Sequence, residues 1–312
     1  PLMDGHIVYS STNQMWAIYS YATKSRYVHG ILGDLFEGWH VQILMYNTNN
    51  HTKNTNNHEI IVVNDLVATR PNTNDPNDQV FEGLGPMWCD INQDGIDDLI
   101  TTIANDRRGA AIRVYIMNID GTVQHVTESD FIGSGNRWLH QIAVVPSFFS
   151  SSPYPNLLQI KTPHIGGVVR AFRYDPTNPT KLVSSFCCQT PYTSHNIFSR
   201  NVDQVVVYDL NQDGISELIL QTQDQKRLVG LQPIDDEGTT MDVVWSVPLE
   251  TPIQSNIGLC VSSSSFQNDT TPPNNNTNTN NDTHTIPPSS ALLFGSTGGD
   301  LIQIVFEAND AH

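Results

Sequence analysis

Positive charge is scarce in this 312-residue chain. Its 15 lysines and arginines stand against 32 aspartates and glutamates, a formal net charge of -17 at pH 7. A phosphate backbone is repelled by such a surface and no local basic patch offsets it, so the composition argues against nucleic acid as a partner. Cysteine is equally sparse: four in this length make no disulfide scaffold. Cys89 and Cys260 fall on different predicted inner strands while Cys187 and Cys188 are adjacent on an outer one, so no pairing is forced and buried reduced thiols are expected. No apolar run approaches the roughly 18 residues of a membrane-spanning helix. No long segment repeats its apolar residues at helical spacing either, which leaves an all-β chain as the first expectation. Also missing are a Gly-x-Ser-x-Gly elbow, a His-Glu-x-x-His helix and a phosphate-cradling glycine loop, so no familiar reaction centre is written in the sequence. The chain begins at Pro1 with no signal-like stretch after it, which reads as a processed or trimmed start.

What is present is an alternation of oxygen-bearing side chains, written twice: DINQDGIDD at 90–98 and DLNQDGISE at 209–217. A hard divalent cation takes six to eight oxygens at about 2.3 to 2.6 Å, and side chains at every second position of a tight turn can converge on one point. Asp90, Asn92, Asp94 and Asp98 would supply them in the first loop, and Asp209, Asn211, Asp213 and Glu217 in the second. The carbonyls of Ile96 and Ile215 fall at position seven, and Gly95 and Gly214 allow the sharp turn at position six. Two Ca²⁺ sites are thus expected. An EF-hand is excluded because Thr101 and Leu220 stand where its bidentate glutamate belongs. The alternative is an Asx-rich turn that holds no metal.

Each loop lies between strand-like stretches, PMWCDI and DDLITTIA in one case, VVVYDL and SELILQTQ in the other. In this the sequence resembles the FG-GAP or VCBS repeat family, in which such a loop joins the two inner strands of a β-propeller blade. The segments YVHGILGD at 27–34, NRWLHQ at 136–141, TPHIGG at 162–167 and SHNIFSRN at 194–201 are similar to strings in uncharacterised, chiefly alphaproteobacterial VCBS-repeat proteins. That resemblance implies a fold and a shared surface but no reaction.

Four-stranded units can be drawn along the whole chain. The first uses 15–21, 27–34, 39–46 and 58–65; the second 86–91, 97–104, 110–118 and 122–129; the third 140–148, 156–163, 168–175 and 181–188; the fourth 203–210, 216–223, 227–235 and 241–248. A fifth has three strands, near 256–265, 291–297 and 300–307, and HIVYSS at 6–11 can supply its missing outer strand. The expectation is one domain over 1–312, a five-bladed β-propeller closed by its N-terminal strand. Asn/Thr-rich insertions at 47–58 and 267–290 are expected to be loops.

Polar side chains gather in the least repeat-like segments. His29, Arg108, Arg137, Trp138, His140, His164, His195 and Arg200 fall near strand ends or turns, and convergence would make a cationic, aromatic pocket suited to an anionic or sugar-like ligand. For each a packing role is the alternative: Trp138 between blades, His164 bonding a Gly166–Gly167 hairpin, the arginines tied to carboxylates. The function expected is therefore a non-catalytic, calcium-binding module for a protein partner or assembly, with a lectin or polysaccharide-lyase-like enzyme as the alternative. The N-x-T triplets beginning at Asn50, Asn268, Asn275 and Asn281 fit a secretory or extracellular route, and the alphaproteobacterial resemblance a mitochondrial one.

Overall fold

The computed structural model describes residues 5–24, 26–27, 29–33, 35–47, 59–69, 79–134, 138–146, 148–149, 153–189, 191–235, 240–261 and 290–306. Within them lie twenty strands, grouped in four sheets, and no helix. The first sheet has eight strands: β1 (Val8–Ser10), β2 (Met15–Thr23), β3 (Glu37–Asn47), β4 (Glu59–Val67), β5 (Val80–Cys89), β6 (Asp98–Asn105), β7 (Gly109–Met117) and β8 (Val123–Glu128). The second holds β9 (Leu139–Val145), β10 (Asn156–Lys161), β11 (Val168–Arg173) and β12 (Val183–Gln189). The third holds β13 (Tyr192–Thr193), β14 (Val205–Tyr208), β15 (Glu217–Thr222), β16 (Arg227–Pro233) and β17 (Met241–Pro248). The fourth holds β18 (Gly258–Val261), β19 (Ser290–Gly295) and β20 (Leu301–Phe306).

Paired strands run antiparallel, several of them, such as β6–β7 and β15–β16, joined by short turns, and the burial of each strand follows its place in the sheet. The central strands β6 and β7 are buried at every residue, which suits their near-continuous runs of small, apolar and threonine side chains. The edge strand β4 has no fully buried residue. At the turn between β6 and β7, Asn105 Oδ1 accepts the amides of Arg107 and Arg108 at 3.0 and 2.7 Å, and Gly109 takes the positive φ that closes the hairpin.

Four apolar clusters follow one another along the chain. One packs β2 and β3 against β6 and β7, around Tyr19, Val41, Phe81 and Leu99. A second joins β6 and β7 to β9–β11 through Ile100, Ile112, Leu157 and Phe172. A third joins the second and third sheets through Leu158, Val169, Leu220 and Leu231, and a fourth joins the third and last sheets through Ile219, Leu228, Leu292 and Phe294.

The sheets do not form the closed five-bladed ring expected from the sequence. HIVYSS does not complete the last unit: β1 hydrogen-bonds to β2, with Tyr9 opposite Trp16. Ser10 Oγ donates to Asp97 Oδ2 at 2.6 Å and Asn13 Nδ2 to the Asp97 carbonyl at 2.7 Å, so the β1–β2 turn is tied to the β5–β6 connection. Gly38 pairs with Phe81, which fuses the first two predicted units into one sheet. Residues 29–33, within the predicted strand 27–34, form a turn instead. Most of both Asn/Thr-rich insertions, with their N-x-T triplets, lies outside the described residues. Cys89 is half-buried and Cys260 exposed, both free, so the second is not the buried thiol expected.

One buried cation holds the first sheet at depth. Arg113 on β7 is 2% exposed; its Nε donates to Glu128 Oε2 at 2.8 Å, and its guanidinium reaches the Ala68 carbonyl and Gln79 Oε1. Removing one member of a buried ion pair strands the other, at a cost of roughly 3 to 5 kcal/mol. Arg113→Ala should lower the unfolding free energy by about that much in urea titration; a loss below about 1 kcal/mol, the range of a surface pair, would contradict this account.

Candidate functional site

The two acidic loops adopt one geometry. Gln93 and Gln212 sit at φ 62° and 60°, and Gly95 and Gly214 at 89° and 90°. Their carboxylates, however, are engaged by the chain itself. Asp90 accepts the amides of Asp94 and Gly95, Asp94 that of Ile96, and Asn92 Nδ2 donates to Asp94 Oδ2 at 2.9 Å. The second loop repeats this with Asp209, Asn211, Asp213 and Ile215. There Gln232 Nε2 also donates to both oxygens of Asp213, at 3.0 and 2.9 Å, and to the Ile215 carbonyl at 3.2 Å. Asp98 and Glu217 are turned inward: Asp98 accepts the amides of Ile91 and Met117, and Glu217 that of Leu210. Among the described residues no group of three or more His, Cys, Asp or Glu is placed to hold a metal ion. The two Ca²⁺ sites expected at Asp90, Asn92, Asp94, Ile96 and Asp98, and at Asp209, Asn211, Asp213, Ile215 and Glu217, are corrected accordingly to Asx-stabilised turns.

The histidines behave differently. The connection between β10 and β11 folds over with Thr162 and Gly166 at positive φ, and the Thr162 amide donates to the Trp138 carbonyl at 2.8 Å. Gly167 then passes so close to β13 that a Cβ there would stand 1.7 Å from the Tyr192 carbonyl oxygen. The Tyr192 amide donates to the Gly167 carbonyl at 3.0 Å, and Gln223 Oε1 accepts the Gly167 amide at 2.9 Å. This crossing lays His164 against His195, with their Nε2 atoms 3.0 Å apart. His195 Nδ1 lies 3.1 Å from Ser194 Oγ, which lies 2.6 Å from Nδ1 of His140 on β9. On the other side of Trp138, His29 Nδ1 meets Glu82 Oε1 of β5 at 3.2 Å. The Phe198 amide donates to the Ile31 carbonyl at 2.9 Å, which brings the turn carrying His29 to the segment after His195. Ring centroids of His29, His140 and His195 lie 5.8, 6.1 and 5.7 Å from that of Trp138.

Trp138 lines two cavities. One, of about 170 Å³, is bordered by His29, Ile31, Thr162, His164, Ile165 and Ile197. The other, of about 190 Å³, is bordered among others by His6, Glu82, Met87, Thr102, His140 and Asp203. Two buried polar atoms of their lining have no hydrogen-bond partner, Trp138 Nε1 and Glu82 Oε2. Burial pushes the imidazoles down, to about 3 for His140, about 4 for His164 and about 2 for His195, and repulsion between neighbouring rings adds to the effect. Burial also holds the Glu82 carboxyl well above the usual range.

Of the eight candidates from the sequence, His29, Trp138, His140, His164 and His195 thus come together. Arg108 does not join them: it lies over the Phe131 ring, 3.9 Å from the centroid. Arg200 is exposed and borders neither cavity. Arg137 lies outside the described residues. Among the described residues no lysine or arginine borders either cavity, so the cationic pocket expected for an anionic or sugar-like ligand is not formed and the lectin or polysaccharide-lyase-like reading loses its basis. Glu82 and Ser194 were missed by sequence reasoning; the signal for Glu82 was a carboxylate inside the apolar run VFEGLG.

No family model matches the chain, and no curated protein does. The FG-GAP or VCBS resemblance, and the repeat-propeller fold drawn from it, are corrected accordingly: no family model matches and the strands form four separate sheets, none closed into a propeller. Among solved structures, the complex of the fission yeast SREBP–SCAP binding domains is 12% identical, with 99% of this chain and 63% of that chain covered and a TM-score of 0.46. A mutant Aleuria aurantia lectin in complex with alpha-methyl-L-fucoside is 10% identical over 96% and 73%, with a TM-score of 0.41, and the Photorhabdus luminescens Tc holotoxin pore 11% identical over 80% and 14%, at 0.29. This chain spans less than two thirds of the first of these, and likenesses so distant assign nothing. No helix among the described residues is long and apolar enough to cross a membrane.

The depressed imidazoles give a pH signature with a definite sign. The unfolded chain takes up protons on its histidines as pH falls through about 6.5, while folded His140 and His195 stay neutral until far lower, so each lowers stability on acidification by up to about 1.4 kcal/mol per pH unit. Asp98 and Glu217, held up to about 7 by burial, act in the opposite sense over about pH 7 to 4, so the readout is a difference. Urea titrations from pH 7.5 to 5 should show His140→Asn losing stability less steeply than the parent on acidification, by up to about 1.4 kcal/mol per unit. Parallel pH profiles for the two proteins would contradict the burial of a neutral ring.

Proposed function

We propose that this chain binds a small, uncharged molecule with an apolar body and a hydroxyl group in the cavity between Trp138 and His164. One observation carries the reading: the Trp138 indole and the neutral His164 imidazole border the same space, with His29 beside them, and it opens through exposed isoleucines. Ile165 is 82% and Ile197 49% exposed, an apolar rim of the kind a ligand covers. The size suits a single ring, since an engineered apolar cavity of about 150 Å³ admits benzene. The unused His164 Nδ1 is an acceptor or donor for the ligand hydroxyl, and among the described residues no lysine or arginine borders the cavity, so the ligand enters it uncharged.

Phenol is the direct probe. Calorimetric titration should show saturable binding with a Kd on the order of 1 mM, as befits a ligand of few atoms. Benzene should bind about tenfold more weakly, the worth of one hydrogen bond. His164→Ala should remove that preference, and Trp138→Ala should weaken both ligands. Equal affinity for phenol and benzene, or phenol binding indifferent to His164→Ala, would overturn the reading.

A second reading, a protein partner or larger assembly, is favoured by the last sheet. Among the described residues β20 pairs only with β19, and Leu301 and Val305 on it are 73% and 51% exposed. An extended segment of another protein could add there as a further strand. Cross-links from beside β20 in the native source should reach that partner and disappear when Leu301 and Val305 are both replaced by lysine.

A further inference from the structure

We propose that His164, Ser194, His195 and His140 form a proton relay that joins the two cavities on either side of Trp138. The inference rests on the reading of the first cavity as a ligand site and extends it to the wall behind. Three contacts of 3.0, 3.1 and 2.6 Å link the four side chains in one line, each within the reach of direct proton transfer. His195 and Ser194 are wholly buried, so the middle of the line is shielded from solvent. Its two ends border different spaces: His164 the cavity of about 170 Å³ and His140 that of about 190 Å³.

The chemistry of the donors leaves two arrangements. In the first, His164 Nε2–H donates to His195 Nε2, His195 Nδ1–H to Ser194 Oγ, and the Ser194 hydroxyl to His140 Nδ1. His140 then carries its proton on Nε2 and His164 presents a bare Nδ1 to the ligand. In the second, every bond is reversed, His164 Nδ1 carries a proton and His140 Nε2 is bare. A hydroxyl proton passing from a ligand to His164 Nδ1 moves each proton along by one bond and releases the His140 Nε2 proton to water in the second cavity. The ligand is left as the oxyanion, accepting from His164 Nδ1–H; one proton is released and each of the four side chains ends as neutral as it began. Because all four move together, no imidazolium is held inside the protein, the species that burial disfavours.

The two arrangements correlate the tautomers of three rings, and nitrogen NMR of histidine-labelled protein reads them individually. In the ligand-free protein the fractions of Nε2–H His140, Nδ1–H His195 and Nε2–H His164 should be equal, and Ser194→Ala should abolish the equality for His140 while the His164–His195 pair keeps it. Unequal fractions in the parent protein, or fractions in Ser194→Ala that stay equal, would overturn the relay, whether or not any ligand binds. Saturating phenol, as hydrogen-bond donor to His164 Nδ1, should shift His140 towards the Nε2–H form by the same fraction as His164. Phenol that perturbs the Trp138 signal and shifts His164 but leaves His140 unmoved would overturn the relay and spare the ligand site. Phenol that leaves Trp138 unperturbed would sink the ligand reading, with the ligand-free fractions still deciding the relay.

Discussion

The Tyr192 amide donates to the Gly167 carbonyl, and only glycine permits the approach, because a Cβ at 167 would stand 1.7 Å from the Tyr192 oxygen. This one backbone crossing ties the β10–β11 turn of the second sheet to the first strand of the third, beneath which Leu158, Val169 and Leu220 share a core. It also fixes the distance between His164 and His195, and through Ser194 the position of His140. Packing between sheets and the geometry of the site are thus one constraint.

Strands in the second, third and fourth predicted units were legible in the sequence because their pairings are local: alternating runs joined by short turns need only neighbours in the chain. Ring closure depended on a pairing between chain ends, and no local signal at HIVYSS distinguishes β2 from the last sheet as its partner. The acidic loops were legible as turns, down to the glycine at position six. Their ligands were not, because competition for Asp213 comes from Gln232, nineteen residues away on β16, which loop spacing does not encode.

The site was half legible for a similar reason. Histidines and Trp138 stood out as polar or aromatic groups in segments that break the strand pattern, and five of them meet. The same reasoning chose Arg108, whose guanidinium instead settles on Phe131, an aromatic partner available only once the strands are folded. Charge was misjudged along with it: arginines and histidines in the same segments suggested a cationic pocket, whereas Arg108 lies elsewhere and burial keeps His140 and His195 neutral. Trp138, whose indole N–H has no partner, borders both cavities, and Glu82, with one carboxyl oxygen unpaired, borders the second.

The central claim is that His140 and His195 are neutral, hydrogen-bonded rings at physiological pH. Imidazole resonances followed by NMR from pH 8 to pH 5 test it most directly. The account predicts that both rings keep their neutral shifts across that range while exposed histidines titrate; a midpoint near 6.5 for either ring would contradict it.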